Sequence, residues 1–160
     1  MVRTSAGILV FRRRESGAEV LLGHMGGPIW ENRDQGAWSV PKGEYTPEES
    51  AWKAARREFR EELGMDPPAG RFESLGSARQ SGGKVVTVWA VPGEIDPRSM
   101  VPGTFTMEWP KGSGRLREFP ELDRVAWFDL DRASRRILPA QRVFLERLSD
   151  LLEADPGEWD

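Results

Sequence analysis

The sequence predicts an α/β (α+β) fold in which helices pack on a β-sheet. Three observations carry this reading: hairpin signals on both sides of one strongly patterned helix, a late apolar strand, and a C-terminal stretch with helical spacing. At 160 residues, with 38% hydrophobic and 31% charged side chains, the chain has the length of one domain and enough apolar material for a layered core. Residues 1–154 are expected to form that domain, and 155–160 a flexible acidic tail.

Thr4 to Phe11 reads as a strand, rich in small and apolar residues, that leads into the basic run Arg12-Arg13-Arg14. Ser16-Gly17 signals a turn, and Glu19 to Gly23 is its partner strand. Gly26-Gly27-Pro28 breaks the pattern, and a short strand at Ala37 to Val40 ends at Pro41-Lys42-Gly43. The helix is expected from about Pro47, behind Thr46 as N-cap, to Leu63, with Gly64 as its stop. A second hairpin follows, Phe72 to Arg79 and Lys84 to Val91 around Ser81-Gly82-Gly83. Asp96 to Gly114 reads as an irregular loop with one short strand at Thr104 to Trp109. Val125 to Phe128 is another strand, and Pro139 to Leu152 the last helix.

Composition removes several kinds of chemistry. There is no cysteine, so thiol nucleophiles, disulfides and Cys-ligated metals are out. His24 is the single histidine, which excludes multi-His zinc centres. A net charge of −3 provides no basic field for coating nucleic acid, and no stretch approaches the ~18 apolar residues of a membrane span. Met1 to Ser5 lacks the layout of a secretory signal, so a cytoplasmic location is expected. A metal, if used, is a hard cation held by oxygen.

Winding the helix at about 100° per residue places Trp52, Ala55, Phe59 and Leu63 on one apolar stripe. Glu58, Glu61 and Glu62 form an acidic arc beside it, and Lys53, Arg56 and Arg60 face water. Glu-rich helix faces are ordinarily solvated surface. Like charges at i, i+3 and i+4 repel by a few tenths of a kcal/mol per pair, however, and a divalent cation bound with substrate phosphates would offset that.

The wider spacing decides between these readings. Gly43, five residues, Glu49, seven residues, Arg57-Glu58-Phe59, Arg60, Glu61-Glu62, Leu63, Gly64-Met65 resembles the signature of the Nudix hydrolases. The resemblance implies a loop–helix–loop on a mixed sheet with helices on both sides, an α/β/α sandwich. It also implies hydrolysis of a diphosphate linkage in a nucleoside diphosphate derivative, with Mg²⁺ (or Mn²⁺) as cofactor and a small nucleotide as the partner. By motif position, Glu58, Glu61 and Glu62 would be the metal ligands, with the Gly43 carbonyl as an extra one. Glu62 lies nearest the apolar boundary.

Arg57 would orient a helix carboxylate, and Glu49 would brace the loop. Family members draw their general base from the box or from a later loop; Glu118, in Arg117-Glu118-Phe119-Pro120, is the candidate of the second kind, its alternative being an exposed loop carboxylate. The expected catalytic set is therefore Arg57, Glu61, Glu62 and Glu118. Lys42, just before Gly43, is a candidate to meet a phosphate. Trp38-Ser39-Val40-Pro41-Lys42-Gly43 looks like the segment leading into the box in the diadenosine-polyphosphate hydrolase branch. Trp30, Trp38 and Trp109 are loop or loop-edge rings able to stack a base or to pack internally, Trp38 being the expected substrate contact. His24 is read as ending a strand. Dinucleoside polyphosphates lead the expected substrates, ahead of nucleoside triphosphates and nucleotide sugars. A nucleotide-binding sensor without turnover is the alternative, and a simple acidic Ca²⁺ or interaction module leaves Gly43, Arg57 and Gly64 unexplained.

Overall fold

The described residues, 2–157 of the computed structural model, form β1 (Thr4–Arg14), β2 (Gly17–Met25), β3 (Trp38–Ser39), β4 (Lys42–Tyr45) and α1 (Ala51–Leu63). β5 (Glu73–Arg79), β6 (Val85–Pro92), β7 (Thr104–Glu108), β8 (Leu116–Pro120) and β9 (Leu122–Asp129) follow, then α2 (Leu130–Arg136) and α3 (Arg142–Ala154). β1 is the spine. Ala6 and Ile8 to Phe11 are all 0% exposed, the continuous apolar run of a strand covered on both faces. Ala6, Ile8 and Val10 pack with Phe59 and Leu63 of α1, while Leu9 and Phe11 pack with Phe144 and Leu148 of α3. The period of two along one strand therefore builds both halves of an α/β/α sandwich.

β1 runs parallel to β6, from Thr4 opposite Val85 to Phe11 opposite Pro92, and the other ladders of the main sheet are antiparallel. β1 and β2 pair only where Phe11–Arg14 meets Gly17–Val20. Beyond that they part, and β3 and β4 fill the gap: β4 pairs Thr4–Gly7 of β1, and β3 pairs Gly23 and His24 of β2. The Ile8 N–H donates to the Pro41 carbonyl and the Met25 N–H to the Ala37 carbonyl, which holds the wedge on both flanks. β7 and β8 form a separate two-stranded ribbon.

The expected sandwich, both hairpins, the late strand and the C-terminal helix are present. The box helix begins later than expected. Glu49 N–H donates to the Thr46 carbonyl, so Thr46–Glu49 is a turn with Pro47 at its second position, where a fixed φ suits it. Ser50 is the cap, its hydroxyl accepting from the Lys53 N–H. Gly64 ends the helix at φ 71°, a left-handed conformation that a β-carbon disfavours. The short strand expected at Ala37 to Val40 is β3 and ends before Pro41, but Lys42 and Gly43 begin β4 rather than closing it. α2 and β8 were not expected. α2 buries only Ala133, too little for an apolar stripe, although Asp129 caps it. β8 is mostly exposed and lacks the apolar alternation of a core strand.

Of the expected tail, residues 158–160 lie outside the described residues; Arg13 Nη1 donates to the Pro156 carbonyl (2.6 Å). No helix among the described residues is long and apolar enough to cross a membrane.

Candidate active site

α1 turns its apolar stripe to β1, and this decides which glutamate is covered. Ala54, Ala55, Phe59 and Leu63 are buried, and Glu62, on their border, is only 7% exposed. Glu58 is half-buried and Glu61 exposed. β4 passes so close to the helix that a Cβ on Gly43 would overlap the Glu58 carboxylate. Only glycine allows this approach.

Arg57 gathers the outer carboxylates. Its Nε and Nη2 each donate to one oxygen of Glu49 at 2.9 Å, a two-pronged pair. Its Nη1 reaches Glu58 at 2.8 Å and both oxygens of Glu61 at 3.1 and 3.2 Å. The hydrogen bonds it donates to Glu49, then those to Glu58 and Glu61, hold the guanidinium firmly charged against the desolvation that opposes it. The same bond lowers the Glu49 carboxyl below its ordinary range. Arg57 thus orients two box glutamates, and Glu49 anchors Arg57.

Glu62 lies deeper than these. Burial, with Glu121 and Glu58 nearby, pushes the Glu62 carboxyl up to about 8. Burial also raises Glu58, against the pull of Arg57, and raises Glu121, against the pull of Lys42. Lys42, on β4, is the cation in this group. Burial lowers its ammonium, and the charges of Glu62, Glu44 and Glu121 resist that.

Glu121 carries no box signal and was missed in the sequence. It sits between β8 and β9, where its N–H donates to the Gly103 carbonyl (2.8 Å) and its own carbonyl accepts from the Gly26 N–H (3.0 Å). Glu118 is not brought to this cluster by any contact. It stands opposite Thr106 on the exposed face of the β7–β8 ribbon.

Trp38 does not have the position expected of a substrate contact. It is 4% exposed, with its ring edge-on to Phe128 (4.8 Å between centres) and His24 (5.1 Å), and its Nε1 donates to Asp34 (2.9 Å). A base cannot reach either face. The reason is register: β3 turns Trp38 into the core on the α3 side. His24, next to last in β2, is fully buried, with Nε2 2.6 Å from the Arg33 carbonyl and Nδ1 3.0 Å from both Asp123 oxygens.

Among the described residues no three His, Asp or Glu side chains already converge as a metal cage, because Arg57 draws Glu58 and Glu61 toward itself. The donor set still fits a hard dication. It is all oxygen, it includes the buried Glu62 carboxylate, and Gly43 leaves open the space a side chain would fill beside Glu58.

Comparison with known proteins agrees with the motif. The NUDIX domain family model matches residues 1–148, and the chain belongs to that family. The expectation of a hydrolase acting on a pyrophosphate linkage stands with it. Among solved structures, a C. elegans Ap4A hydrolase binary complex is similar at 20% identity, with 94% of this chain and 98% of that chain covered and a TM-score of 0.63. The NUDIX domain of Shewanella oneidensis NrtR complexed with ADP ribose is similar at 16% identity, covering 95% and 89%, with a TM-score of 0.62. The Nudix hydrolase RenU of M. smegmatis gives 23%, 96% and 87%, and 0.57. At these identities the likeness is one of fold. A search of curated proteins found no match.

Proposed function

We propose that this chain is a Mg²⁺-dependent hydrolase of a diphosphate linkage in a nucleoside diphosphate derivative, with dinucleoside polyphosphates first and nucleoside triphosphates next. One observation carries the proposal: the buried Glu62 and half-buried Glu58, with Glu121 beside them, gather around Lys42 and Gly43. Glu58, Glu61, Glu62 and the Gly43 carbonyl would hold the metal, which when bound neutralises phosphate oxygens and acidifies a coordinated water.

The side chains supply the rest. Lys42 faces a non-bridging phosphate oxygen as a compact charge, its ammonium made a stronger proton donor by burial. Glu121, its carboxyl raised above the ordinary carboxylate value, takes the proton from the attacking water. Water adds to phosphorus, the bridging P–O bond breaks, and the leaving phosphate departs with that electron pair. Arg57, locked to Glu49, keeps Glu58 and Glu61 pointed at the site. The Ap4A hydrolase and the ADP ribose complex among the structural neighbours support a nucleotide substrate.

A second reading, a nucleotide-binding module without turnover, is favoured by the internal neutralisation of Glu58 and Glu61 by Arg57. Incubating the protein with a panel of diphosphate compounds, with and without Mg²⁺, separates the two. Phosphate products that need Mg²⁺ support the hydrolase, and nucleotide binding without products supports the module. Running the reaction in ¹⁸O-labelled water identifies the attacked phosphorus.

A further inference from the structure

A cavity of about 220 Å³ opens between the loop after β2 and the β7–β8 ribbon. Gly26, Gly27, Pro28, Trp30, Phe105 and Met107 line it. Its lining is mostly apolar, and two of its walls are aromatic rings. The ribbon explains this face: Phe105 pairs with Phe119, so the two rings share one side (6.1 Å between centres), and Met107 follows on that side. Gly27, at φ 92°, lets the loop pass directly under Phe105; a Cβ there would stand 3.0 Å from the ring tip. The Arg33 guanidinium, 5.6 Å from the Trp30 ring centre, lies over the indole.

Position links the cavity to the box. Gly26, on its floor, donates to the Glu121 carbonyl, and the Glu121 side chain faces Glu62 and Lys42. An apolar, ring-walled slot one hydrogen bond away from a phosphate-binding cluster has the chemistry of a stacking site.

We propose that this cavity holds the base of the nucleotide, stacked against Phe105 and Trp30, with its phosphates lying toward Lys42 and Gly43. The proposal rests on the hydrolase reading and names the subsite that reading lacks. Because the walls meet a base through its face and offer few polar side chains to its edge, the site accepts different purines with similar affinity. That suits an enzyme recognising the nucleotide class rather than one base.

The test uses α,β-methylene-ADP and α,β-methylene-GDP, whose P–C–P bridges resist hydrolysis, against base-free methylenediphosphonate. Binding is measured by calorimetry with Mg²⁺ present. Phe105→Ala is expected to weaken both nucleotides about tenfold while leaving methylenediphosphonate unchanged. Phe105→Tyr restores binding, and Met107→Ala gives a smaller loss of the same kind, which keeps the test decisive if Phe105→Ala unfolds the ribbon. The two nucleotides bind wild type within about threefold of each other.

Equal loss for all three probes, or no loss for any, overturns the proposal. So does self-association that is abolished by Ile29→Asp, at the exposed residue that also lines the cavity, without base-dependent binding, since that makes the slot a contact between copies. The hydrolase reading fails separately: base-dependent binding with no Mg²⁺-dependent product keeps the subsite and discards the enzyme.

Discussion

The α-carbon of Gly43 lies flush against the carboxylate of Glu58, with no room for a Cβ between them. Gly43→Ala must therefore move the carboxylate or the strand. Since β4 is fixed in the sheet by Ala6, the carboxylate gives way. Mg²⁺ affinity, followed by calorimetry, is expected to fall 10- to 100-fold, with turnover falling alongside. The thermal midpoint should stay within a few degrees, because α1 and its buried stripe are untouched.

Glu62 makes the metal-free protein pH-sensitive. Its carboxyl is raised from 4.5 to about 8 in the fold. The folded state therefore holds the proton more tightly than the unfolded chain, and this stability is complete below the unfolded value near 4.5. It is lost as pH rises through about 8. Without metal, the melting temperature is expected to drop by about 5–10 °C between pH 5 and pH 8.5. Glu62→Gln removes that slope, and saturating Mg²⁺ flattens it in wild type by binding the ionised form. The same variant should cost at least about two orders of magnitude in turnover.

Glu121 and Glu118 lie three residues apart and are expected to behave differently. Glu121→Gln is expected to lower kcat about 10²- to 10⁴-fold at saturating Mg²⁺ and to erase the acidic limb of the pH–rate profile, because a carboxyl must ionise to accept the proton. Glu118→Gln, on the exposed face of the ribbon, should leave both kcat and the profile unchanged.

His24 tests the architecture rather than the chemistry. Its ring ties the Arg33 carbonyl to the Asp123 carboxylate from a fully buried position. His24→Ala leaves both acceptors without that partner and opens a void against Trp38. A cost of about 2–4 kcal/mol follows, read as a fall of roughly 5–15 °C in the thermal midpoint.

The box was legible because its constraints are local: one helix period places Glu62 at the apolar border, and one spacing joins Gly43 to Arg57. Glu121 was not legible, since its place at the site comes from backbone bonds to Gly103 and Gly26, both distant in sequence. Trp38 was misplaced for a similar reason. A two-residue strand has no pattern long enough to reveal its face, and only the pairing of His24 with Trp38 turns the indole inward. The helix start was missed because Thr46-Pro47 is as good a cap as Ser50 until Glu49 is seen reaching for Arg57.

The β7–β8 ribbon shares no ladder with the seven-stranded sheet. Its length and side chains can thus be rewritten without disturbing the framework that carries α1 and β4. On the proposed reading, the ribbon's rings contribute to ligand choice while bond cleavage rests on α1 and β4, so drift in the first leaves the second intact, and a lineage built on this scaffold can change diet while keeping its teeth.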